Sequence, residues 1–131
     1  MIRVLLDADI TGFQALLVGT LEATGWSEYK LLEFVTLSEV GLDEATSDRE
    51  IWRRCQLDSM LLLTANRNRD DRDSLEQTIS QENSASSLPV ITISAQERLH
   101  NAVYREACIE RLINIVLELS DNLGTGRLYI P

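Results

Sequence analysis

Two aspartates stand two residues apart in "LLDADIT", where Asp7 and Asp9 close a short aliphatic run. Further oxygen-bearing side chains cluster at two later places. Asp48 and Glu50 lie in "SDREI" (47–51), and Thr64, Asn66, Asn68, Asp70, Asp71 and Asp73 lie in "LLLTANRNRDDRD" (61–73). Carboxylates brought together repel one another and raise each other's pKa unless a cation sits among them. An oxygen-rich set suits Mg²⁺ or Mn²⁺, hard divalent ions that retain several waters. Such ions activate water and stabilise the leaving oxygen in phosphodiester hydrolysis. A competing reading is structural, because Asp and Asn after strands also set turns and cap helices. That reading is strongest for residues 66 to 73 and weakest for Asp7, since an acid ending a buried strand needs a partner.

These residues act together only if the intervening elements carry them to one place. Residues 2 to 7, "IRVLLD", form an aliphatic run suited to a buried parallel strand. Phe13, Leu16, Leu17 and Leu21 recur at helical spacing over residues 11 to 24, with Gly25 as a stop. "EFVTLSEVGL" (33–42) reads as a second strand running into a loop. A helix follows, capped by Ser47 or Thr46, with Glu50 at the capping-box position and Ile51 and Cys55 on its inner stripe. "MLLLTAN" (60–66) is a third strand, residues 73 to 82 a short polar helix, and "LPVITIS" (88–94) a fourth strand. One long helix is expected from Ala95 to Leu119, and "GTGRLYIP" supplies a terminal strand.

This alternation predicts one α/β domain over residues 1–131, with right-handed crossovers, a central parallel sheet and helices on both faces. Ligands of such sheets bind beyond the carboxyl ends of the strands, at a topological switch point. Asp7, Asp9, Thr64 and Asn66 all belong to that rim, and Asp48 opens a helix beside it.

Composition narrows the choices. The chain has 131 residues and a net charge of −9, from 21 acids against 12 bases. The balance argues against a nonspecific grip on DNA, although a bound divalent ion inverts the local field. Lys30 is the sole lysine. Cys55 and Cys108 sit in apolar helical patterns and are expected in the core, and His100 is expected on a helix surface. No Cys/His set has zinc spacing. Trp52 reads as a core anchor. No run of about 20 apolar residues and no leader pattern is present, so a soluble, cytoplasmic protein is expected, with no membrane contact. "LINIVLEL" (112–119) is apolar on most sides, which predicts a homodimer through the C-terminal helix.

Three families share parts of this pattern. "DADIT" resembles the opening motif of haloacid-dehalogenase-type phosphatases, with Thr64 as the later hydroxyl, but these need a lysine beyond the hydroxyl strand and this chain has none. "LLTA" (62–65) resembles the threonine strand of receiver domains, which also need a lysine on the following strand. The ordered set Leu5-Leu6-Asp7, Ser47-Asp48-Arg49-Glu50-Ile51 and "LLLTANRNRDD" resembles compact bacterial PIN-like nucleases over about residues 2 to 95.

The resemblance implies a PIN-like three-layer domain and a Mg²⁺- or Mn²⁺-dependent endoribonuclease, of toxin type with an antitoxin-like protein partner. It implies catalytic roles for Asp7, Asp48 and Asp70, with Glu50 a less favoured substitute for Asp48. Asp7, Asp9, Asp48, Asn66 and Asp71 would be metal ligands, and Arg67, Arg69 and Thr64 would contact RNA. Asn66 and Asn68 stand where family members often carry aspartate. An amide oxygen brings no charge, so metal affinity falls, and a non-catalytic binding or regulatory module on the same fold is the alternative expectation.

Overall fold

The structure is a computed structural model that describes residues 1–66 and 72–131. Five strands form one sheet: β1 (Ile2–Leu6), β2 (Leu32–Thr36), β3 (Leu61–Thr64), β4 (Val90–Ile93) and β5 (Arg127–Ile130). Their order is β2-β1-β3-β4-β5 and every pairing is parallel. The helices are α1 (Gln14–Ala23), α2 (Asp48–Leu57), α3 (Leu75–Glu82), α4 (Ala102–Leu117) and the short α5 (Leu119–Asn122).

Strands buried on both faces must be apolar at consecutive positions. Side-chain alternation then sorts them into two cores. Val4, Leu6, Leu61, Leu63, Ile91 and Ile93 pack with Leu17 and Leu21 of α1 and with Ile109, Leu112 and Ile113 of α4. On the other face Leu5, Val35, Leu62 and Val90 meet Ile51, Trp52 and Cys55 of α2 and Leu75 of α3. Helices on both faces were expected, and Cys55, Cys108 and Trp52 are buried as expected.

The crossovers do not all share one hand. The steps β2→β3 and β3→β4 move across the sheet in one direction, with α2 and α3 on the same face. The step β1→β2 moves the opposite way with α1 on the opposite face, which is the same hand. The step β4→β5 moves in the direction of β3→β4, yet α4 lies on the α1 face. That last crossover is therefore opposite in hand to the other three. It corrects the uniform right-handed expectation, which holds for about 98% of such connections. Here α4 gains a neighbour in α1 and completes the larger core.

The expected single helix from Ala95 to Leu119 is also corrected. A 3₁₀ turn, Gln96–His100, precedes α4, and Asn101 separates them in an extended conformation. The Asn101 carboxamide oxygen accepts from Tyr104 N at 3.0 Å, so it caps a new helix. His100 is exposed on this turn, with its ring 5.0 Å from that of Phe13. The apolar "LINIVLEL" is largely used inside the chain: Leu112, Ile113 and Ile115 are buried, whereas Leu117 is 58% exposed. Its apolarity does not require a second copy. No helix among the described residues is long and apolar enough to cross a membrane.

Two substitutions on α4 test this division. Ile113→Ala should lower unfolding stability by about 2–5 kcal/mol through loss of burial and a residual cavity, read by urea denaturation. Leu117→Glu should change it by less than about 0.5 kcal/mol. A large loss at Leu117, dependent on protein concentration, would restore the case for a dimer.

Candidate active site at the carboxyl rim of the sheet

Strand alternation decides which acids meet. Asp7 follows Leu5 by two positions, Thr64 follows Leu62 and Thr92 follows Val90, so all three side chains leave the sheet on the α2/α3 face. Asp7 is 7% exposed and Thr64 fully buried. Thr64 Oγ1 donates to Asp7 Oδ2 at 2.7 Å, and Ala8 N donates to Asp7 Oδ1 at 2.8 Å. A buried carboxylate is tolerable when donors take up its oxygens.

Helix α2 starts on this face. Ser47 Oγ caps it by accepting from Glu50 N at 3.2 Å, which makes Asp48 its first helical residue. Asp48 Oδ2 accepts from Asn66 Nδ2 at 2.9 Å and from Leu75 N at 3.2 Å. It therefore clasps the chain leaving β3 to the chain entering α3. Asn66 N in turn donates to Thr64 Oγ1 at 2.9 Å. Asp9 Oδ2 accepts from Ala65 N at 3.1 Å, and its main-chain oxygen accepts from Gln96 Nε2 at 2.7 Å.

These groups surround a cavity of about 380 Å³ whose lining includes Asp7, Asp9, Glu44, Thr46, Asp48 and Asn66. No basic side chain is among the described lining residues. The pocket lies at the ends of β1 and β3, the switch point where the chain changes direction across the sheet. The Asp9 carboxyl is pushed up to about 6, by desolvation in the cleft first and by the negative charge of Asp7 second. Among the described residues no group of three Asp, Glu, His or Cys side chains is arranged to hold a metal ion by itself.

Asp7, Asp9, Asp48 and Asn66, expected as ligands, thus share one pocket. Asp70, Asp71, Arg67 and Arg69, with Asn68, lie outside the described residues. Thr64, expected to contact RNA, is fully buried and donates its hydroxyl to Asp7. Glu50 is exposed and does not line the cavity. Asp73 pairs with Arg49 at 3.0 Å, and Arg49 also joins Glu82 and the Arg72 carbonyl, so this end of the polar segment is tied to α2. Glu44 was missed. Its only signal was an acid in "LDEATSD", just before the Ser47 cap.

The cysteines take no part. Burial pushes the Cys55 thiol up to about 12 and Cys108 to about 11, far from a thiolate near neutral pH.

The Asp9 shift has a signed consequence. A carboxyl raised in the folded state holds a proton that the unfolded chain has released, between about pH 4 and pH 6. Charged Asp9 therefore costs stability above that window, and the cost fades as pH falls through it. Asp9 is exposed to solvent, so screening reduces the size of the effect. In metal-free buffer Asp9→Asn should melt above wild type near about pH 7.5, and the gap should close towards about pH 4.5. A gap independent of pH would contradict this electrostatic description. No family model, curated protein or solved structure matches this chain.

Proposed function

We propose that the rim pocket is the centre of a PIN-like, Mg²⁺- or Mn²⁺-dependent endoribonuclease. One observation carries the reading: Asp7 from the end of β1, Asp9 two residues on and Asp48 from the start of α2 face one cavity, with no basic side chain among its described lining residues. The raised pKa of Asp9 is what desolvation, and then the charge of Asp7, produce. The donors are all oxygen, the chemistry a hard divalent ion takes, although Asp7, Asp9 and Asp48 as placed are not arranged to hold one by themselves. Asp7, Asp9, Asp48 and the Asn66 amide oxygen are the candidate ligands, with water completing the shell as Mg²⁺ prefers. When bound, the ion supplies a more acidic water and positive charge for a phosphodiester.

The chain's own groups then have separable tasks. Asp7 is aimed by Thr64 and Ala8, so its carboxylate is oriented before substrate arrives. Asp48 is aimed by Asn66 and Leu75. Asp9, fixed by Ala65 N, adds the third carboxylate to the same cavity. In this reading Asp70 and Asp71, which lie outside the described residues, add acid, and Arg67 and Arg69, also outside them, contact the phosphate. The toxin type and an antitoxin-like partner belong to the same reading.

A second reading, a non-catalytic PIN-like module, draws on Asp48: its Oδ2 already accepts two hydrogen bonds that close the loop. The phosphatase alternative has less support. Thr64 is fully buried, and Lys30 precedes β2, at the opposite edge of a parallel sheet.

The deciding assay is cleavage of single-stranded RNA with Mn²⁺. Asp7→Asn should lower the rate by at least about 100-fold, the scale of losing a group that acts only in the transition state. Equal rates for wild type and Asp7→Asn, or no cleavage with any divalent ion, would remove the nuclease reading. Tight Mn²⁺ binding without cleavage would favour the module.

A further inference from the structure

We infer that Arg127 is a positioning residue for this pocket: it holds Asn66, and through Asn66 the carboxylates of Asp7 and Asp48. The inference rests on the reading of the pocket as a metal centre and extends it to the far edge strand.

Arg127 opens β5, which has no direct contact with β1 or β3 in the sheet. Its backbone is level with Val90 of β4. Two residues of strand rise, about 6–7 Å, separate that level from Thr92. An extended arginine covers this distance, and the guanidinium arrives at the carboxyl rim. There Nη1 donates to the Asn66 carbonyl at 3.0 Å and to Thr92 Oγ1, while Nε donates to Glu76 Oε1 of α3 at 2.7 Å. The side chain is only 7% exposed. Its planar fork, gripped on two sides, has one orientation.

Asn66 is the hub that this grip secures. Its carbonyl takes the Arg127 bond, its N–H goes to Thr64 Oγ1, and its Nδ2 goes to Asp48 Oδ2. Thr64 Oγ1 is the donor that orients Asp7. Loosening Asn66 therefore disturbs the supports of both acids at once. Support of this kind around a metal ligand is worth about 10- to 100-fold in affinity. Arg127 Nη2 is buried without an acceptor among the described residues.

A positioning role and a simple charge effect predict opposite signs. Removing a nearby cation should by Coulomb's law strengthen Mn²⁺ binding, whereas losing the Asn66 grip should weaken it. The test compares wild type, Arg127→Lys and Arg127→Gln of the full chain. Expected are Mn²⁺ affinities about 10-fold or more below wild type in both variants, because lysine keeps the charge but lacks the fork. In metal-free protein the backbone N–H groups of Asn66 and Leu75 should exchange faster by about 10-fold relative to core amides such as that of Ile91.

Tighter Mn²⁺ binding in Arg127→Gln with no change in Arg127→Lys would overturn the proposal, as would unaltered exchange at Asn66. If either variant fails to fold, Glu76→Gln, which alters only the partly exposed partner, should show the same exchange change in smaller degree; no change there overturns the proposal too. Wild type that binds no Mn²⁺ defeats the metal-centre reading by itself, and the metal-free exchange then decides the positioning of Asn66 and Asp48.

Discussion

A carboxylate almost closed to solvent at the end of a strand buried on both faces must be satisfied, or the strand cannot end there. In this protein the hydroxyl of Thr64 meets that demand. Because β1 and β3 are parallel with Leu6 level with Leu63, Thr64 stands beside Asp7 on the same face. The hydroxyl donates to Asp7 and simultaneously accepts from Asn66 N, so one side chain couples the end of β1 to the chain leaving β3. Charge-assisted bonds of this type contribute about 1.5–3 kcal/mol each, and leaving either partner buried alone costs more than the bond itself contributes.

From that bond outward the rim is built by neutral donors holding anionic acceptors. Ala8 N, Ala65 N, Leu75 N and Asn66 Nδ2 each fix a carboxylate oxygen without cancelling its charge. The described arginines near this region form ion pairs with acids other than Asp7, Asp9 and Asp48. Arg49 is turned to Asp73, Glu82 and Gln81, and Arg127 to Glu76. Among the described residues, geometry is thus organised without a cationic side chain at the carboxylates. Desolvation first, and the charge of Asp7 second, raise the Asp9 pKa in this arrangement.

The reversed final crossover has a role in this arrangement. Were α4 on the α2/α3 face, it would follow α3 across the sheet and lie over β4 and β5, where the Arg127 side chain now runs beside Glu76. Its place beside α1 leaves that channel to the guanidinium and gives the larger core its second helix. The connection is long enough, with its 3₁₀ turn and Asn101 cap, to make the crossing.

Much of the scaffold was legible from local pattern. The four helix-separated apolar runs, the terminal strand, the Ser47 cap and the burial of both cysteines follow from spacing and propensity, which act over a few residues. The shared rim of Asp7, Asp9, Asp48 and Asn66 also followed, since alternating strands and helices place every strand end on one edge. The Asn101 break was hidden because apolar periodicity continues through it, and a capping side chain leaves that periodicity intact. Thr64 read as a contact for substrate because its spacing matches an exposed hydroxyl equally well; only the register of β3 against β1 turns it towards Asp7. Glu44 and Arg127 carried almost no signal. Their places depend on strand order, on which face each helix covers and on how far a side chain reaches along its neighbour. These are relations between residues far apart in the chain, and only packing the two cores against the sheet decides them.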